Sequence, residues 1–187
     1  MEASIKERGL LTMFGLKSPA LPSDPWPLRF KRHNFGARCY RTLRCSVIYD
    51  RFQFVPENLL SAPSGDPVKP DWRDTWDAGY IVGDSFAGPV KVDWTSLDGS
   101  DHHALVDISD IFEDRLVRHH VPRQDVSDSW LSAKAVDPVT AHILVEINDR
   151  TINVFMRAVV FTKFPANPDN PHSTGRRDLV LAWTRSY

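Results

Sequence analysis

Cysteine is scarce in this chain: 187 residues contain only Cys39 and Cys45. No C-x-x-C spacing occurs, which removes cysteine-held zinc and a disulfide-rich scaffold from consideration. On one straight strand the two thiols would share a face about 20 Å apart, against the roughly 7 Å a disulfide tolerates between Cα atoms. They pair only if the chain folds back between them, so free buried thiols and a reducing compartment are the expectation. Charge of either sign in excess is also lacking. A net charge of −1 argues against wholesale attraction to DNA or membrane. Long hydrophobic runs are missing as well. Leu10–Leu16 is too short for a membrane span and poorly flanked for a secretory signal, so a cytoplasmic protein is expected.

What the chain does have is strand pattern. Ile143–Ile147 and Ile152–Phe161 are apolar, β-branched runs separated by Asn148-Asp149-Arg150, a hairpin signature. Val90, Val92 and Trp94 alternate with Lys91, Asp93 and Thr95; Asp98-Gly99 then turns the chain, and His103–Ile108 returns as a partner strand. Phe30–Phe54 is a further strand region, and Asp178–Thr184 a final strand. Trp72 and Trp76 stand at i,i+4, which one helical turn brings together. Ser109 or Asp110 is the expected cap of a short helix over 111–117, and Gln124–Leu131 holds another helical turn or two. Residues 1–28 are expected as an extended, proline-punctuated segment with a short helix over Ser4–Leu11, and 29–187 as one globular domain. The fold class expected is α+β, β-rich: an antiparallel sheet or partial barrel with a few short helices.

No stretch carries a strong catalytic or metal signature, and neither a cofactor nor a metal ligand set is expected. Gly83–Gly88 is one residue too long for a nucleophile elbow. His102-His103 and His119-His120 are adjacent pairs, and neighbours on a strand point to opposite faces. An enzyme would have to draw on His102, His103, Asp107 or Glu113. Seven cations from Arg29 to Arg51 interleave with Phe30, Phe35, Tyr40 and Phe52, as single-stranded nucleic acid binding requires, but the neutral total weakens that reading. Asp98, Asp101, Asp107, Asp110, Glu113 and Asp114 span a stretch with no cation before Arg115. It is either a solvated edge or a negative docking surface for a basic partner, with Trp72 and Trp76 as apolar anchors.

Phe35–Asp50, Val92–Phe112, Val145–Ala158 and Asn170–Tyr187 resemble an uncharacterised proteobacterial family. Its members look like small proteins encoded beside effectors of the type VI secretion system, whose companions are commonly immunity proteins. The resemblance implies a non-enzymatic protein that neutralises a cognate toxin by direct contact. The expected contact residues are Trp72, Trp76, Asp98, Asp101, Asp110, Glu113 and Asp114, and the expected partner is the toxin. The alternatives are a secretion adaptor or chaperone for an effector, and a small metal-dependent hydrolase.

Overall fold

At Arg41 the chain turns a corner, with φ at 53°, and passes from one sheet into another. In the computed structural model, which describes residues 25–55 and 63–187, β1 (Phe30–Tyr40) enters that corner and β2 (Thr42–Tyr49) leaves it. β3 (Phe52–Val55) returns across Asp50-Arg51, both at positive φ (49° and 58°), as a tight two-residue hairpin turn demands. Then follow α1 (Trp72–Thr75), β4 (Tyr80–Gly83), β5 (Pro89–Ser96), β6 (Asp101–Asp107), α2 (Ile108–Ile111) and α3 (Asp128–Lys134). β7 (Val139–Asn148), β8 (Thr151–Arg157), β9 (Val160–Phe161), β10 (Gly175–Arg176) and β11 (Leu179–Ser186) complete the order.

Five strands form a mixed sheet, β11-β8-β7-β1-β4, in which β1 and β7 run parallel. Four form an antiparallel sheet, β3-β2-β5-β6, and β9 pairs with β10. The fold is therefore β-rich with a few short helices, and no closed barrel forms among the described residues. Alternation assigns the faces. Val90, Val92 and Trp94 of β5 meet Ile143, Val145 and Ile147 of β7 in one core shared by both large sheets. β7 reads as a nearly continuous apolar run because its other face is covered too: Leu144 and Phe155 pack beneath Trp72 and Trp76. Asp149, at φ 52°, makes the β7–β8 turn.

Several expectations need correction. Cys39 and Cys45 are bonded, with Cα atoms 6.5 Å apart. The straight-strand estimate failed because the corner at Arg41 lies between them, and the argument for a reducing compartment goes with it. The helix after β6 is a single turn capped by Asp107, which accepts from the Ser109 and Asp110 N–H groups. Arg115, at φ 55°, lies within the span expected to be helical. Leu28, assigned to the extended segment, is buried in the core. The Ser4–Leu11 helix and the loop residues 56–62 lie outside the described residues. No helix among the described residues is long and apolar enough to cross a membrane.

Candidate recognition groove

β4 accompanies β1 only along His33–Phe35. Beyond Tyr80 a longer strand would have continued beside β1, but the chain instead climbs onto the outer face of the five-stranded sheet. Ala78 lies directly over Gly36: a Cβ there would stand 3.2 Å from Leu144 Cδ2 and 3.4 Å from Ala78 Cα. Gly36 thus permits the close crossing that takes the chain out of the sheet plane. Along Gly36–Tyr40, β1 keeps β7 on one side and has no strand on the other among the described residues.

Two cavities open along this bare edge. One, of about 390 Å³, is walled by Phe52, Phe54 and Tyr80 and reaches Gly36, Arg38 and Asp77. The other, of about 400 Å³, lies between Arg38, Tyr40, Lys69 and Trp72. Arg38 borders both. The Phe52 and Tyr80 rings stack at 4.9 Å, and Phe54 sets its edge against each, at 4.9 Å and 5.1 Å. Phe54 also leans on the buried Phe35 ring at 4.7 Å, which anchors the wall to the core. Phe52 is 48% exposed and Ile81, on the neighbouring edge strand, 76%.

The other wall is charged but rigid. Trp72 and Trp76 lie 5.0 Å apart, as their spacing required. The Arg38 guanidinium stands 5.6 Å and 5.4 Å from their ring centroids, within the range of a cation–π attraction. Beneath, Arg73 grips the fully buried Glu146 carboxylate at 2.7 Å, and Asn148 Nδ2 donates to the same group at 3.1 Å. Arg157 donates to the carbonyls of Arg73, Asp74 and Trp76, so it closes the end of α1 as a multiple tether. Burial lowers the pKa of His142, opposed by the adjoining Asp77 carboxylate, which also pairs with Arg177. Asp66 pairs with Arg41 at 3.8 Å. Arg38 and Lys69 pair with no carboxylate among the described residues, so the groove's uncompensated charge is positive.

The contact residues expected from the sequence are not gathered at this groove's surface. Trp72 and Trp76 are 8% and 2% exposed, hence inner supports and not surface anchors. The acidic stretch does not converge, because β6 separates its members. Asp98 and Asp101 sit at one end, where they pair with Arg150 and Arg44. The Ser96 hydroxyl and the Ser100 N–H hold the Asp98 carboxyl down to about 2. Asp107 is a helix cap, Asp114 pairs with Arg118, and Asp110 and Glu113 are exposed at the other end. His102 stacks on Trp94 at 4.8 Å while His103 faces outward to Asp93 at 2.6 Å, so the residues a hydrolase would need are dispersed. Of the basic run, Lys31 and Arg32 pair with Asp84, Arg41 with Asp66, and Arg44 with Asp101. Among the described residues no group of three His, Cys, Asp or Glu is placed to hold a metal ion. Of the groove residues, Phe54 and Tyr80 were not singled out, and Phe52 and Arg38 were, as part of the basic and aromatic run from Arg29 to Phe52. No family model, curated protein or solved structure matches the chain.

Proposed function

We propose that this chain is a non-enzymatic binding protein that neutralises a cognate bacterial toxin by direct contact, and that it grips its partner at the groove beside β1. The observation that carries the reading is the exposed Phe52–Phe54–Tyr80 wall facing Arg38 across an open strand edge. Aromatic and arginine side chains dominate binding energy at protein interfaces, and here Arg38 rests on the tryptophan pair that Arg157 tethers while the aromatic wall leans on the buried Phe35. The groove presents apolar walls, the two cations Arg38 and Lys69, and backbone with no strand beside it among the described residues, all of them means of recognition. The acidic stretch contributes at most rim charge in this reading, since exposed pairs such as Asp98–Arg150 are screened by solvent and hold little binding energy.

The test is co-expression with the product of the neighbouring reading frame, which this reading expects to be the toxin. Restored growth, together with a complex that survives size-exclusion chromatography at micromolar concentration, is the expected result. Absence of both a complex and protection overturns the neutralising role. A complex that forms without protecting the cell would instead favour the secretion-adaptor alternative.

A further inference from the structure

We infer that the edge of β1 at Gly36–Tyr40, which has no strand beside it among the described residues, takes up an extended, acidic and aromatic segment of the partner as an added strand. The inference rests on the binding role proposed above and names how the partner is held. Five residues span about 17 Å at ~3.3 Å each, enough for one short strand. The place for that strand is prepared on three sides. In the sheet plane, β1 runs on beyond the end of β4 with no paired strand there among the described residues, and the Ser64–Asp66 segment meets it only at the corner, where the Gly65 carbonyl accepts from the Arg41 N–H. On the core side stand Phe52, Phe54 and Tyr80. On the outer side stands Arg38, poised over the two tryptophans.

An added strand inherits period two from the pleat. Side chains at alternate positions would face the aromatic wall, and those between them would face Arg38 and Lys69. The partner segment therefore alternates apolar or aromatic residues with Asp or Glu. Complementary charge favours this occupant over a basic one, because the acids of the groove, Asp66 and Asp77, are already paired with Arg41 and Arg177. It also disfavours a second copy of this chain, since pairing two β1 edges about Arg38 would set two uncompensated guanidiniums against each other.

The probe is a fluorescein-labelled octapeptide alternating Phe, Tyr or Val with Asp or Glu, titrated by fluorescence anisotropy. Its controls replace the acids by Lys, or N-methylate the backbone at one alternate set of residues or at the other. Saturable binding is expected, at least about tenfold tighter than that of the Lys control. One N-methylated set should lose at least about tenfold and the other little, since only one set points its N–H groups at β1. Arg38→Glu should reverse the charge preference, and Phe52→Ser should weaken every peptide, with thermal midpoints confirming that both variants fold. No saturable binding, equal binding of all controls, or a concentration-dependent homodimer through this edge overturns the inference.

Rescue of the co-expressed toxin separates this inference from the role it rests on. If the folded Arg38→Glu, Phe52→Ser double variant still protects, the strand position is wrong and the neutralising role stands. If the wild-type chain fails to protect while the peptide results hold, the role is wrong and the strand position stands.

Discussion

His33 shows at the scale of one residue what the core costs. Its ring is fully buried; Nε2 lies 3.1 Å from the Tyr49 hydroxyl, and Nδ1 has no hydrogen-bond partner among the described residues. Burial, reinforced by the Arg115 charge, lowers its pKa from 6.5 to about 4. The folded state thus binds the proton less well than the unfolded chain. Stability is fully present above pH 6.5, falls as pH drops from there toward 4, and falls no further below, a loss of about 3 kcal/mol. Denaturant midpoints compared at pH 7 and 4.5 should show this drop, and His33→Gln should remove most of it. A flat profile in the wild type would contradict the burial argument. Arg73 and Glu146 give a second, asymmetric expectation. Arg73 is 42% exposed and Glu146 fully buried, so Arg73→Ala, which strands a buried carboxylate, should cost about 3 kcal/mol. Glu146→Gln keeps a hydrogen-bonding group and frees a half-exposed cation, and should cost about 1 kcal/mol. Equal losses in urea denaturation would refute the asymmetry. The Trp72–Trp76 contact was legible from i,i+4 spacing. Their burial was not, because nothing in a seven-residue window reveals that Leu144 and Phe155 rise to meet them.

At the scale of elements, the strands that turn through local signals were readable. The β7–β8 and β5–β6 hairpins announced themselves by alternation and by Asp149 and Gly99 at positive φ. The corner at Arg41 gave no such warning, since arginine has no preference for the left-handed region. Missing it misplaced the cysteines. The bond they form ties the end of β1 to β2 across the point where the chain changes sheets. Closing so short a loop contributes about 2 kcal/mol in the chain-entropy account. Reduction should lower the thermal midpoint accordingly, and thiol titration of the unfolded, unreduced protein should find no free sulfhydryl. Two titratable thiols per chain in protein isolated under air would contradict the bridge. The same corner defines the groove, because β1 continues to Tyr40 while β4 stops opposite Phe35.

For the whole molecule, sequence reasoning found the fold class, but the acidic residues it grouped do not share one surface. It weighed charge along the chain, and the acids of Asp98–Asp114 are adjacent in sequence yet divided by the length of β6 in space. The groove has the opposite character: Phe52, Tyr80 and Arg38 are distant in sequence and meet because β3 and β4 end beside the same strand. Only tertiary structure brings such residues together. The account therefore predicts where a bound partner leaves its imprint. Hydrogen–deuterium exchange of a complex with the proposed toxin partner is the most direct measurement. Amides of Gly36–Tyr40 should slow by at least about tenfold, with smaller effects at Phe52–Val55 and Tyr80–Gly83 and none along β6. Protection confined to β6 and the Asp98–Asp114 stretch, with Gly36–Tyr40 unchanged, would contradict it.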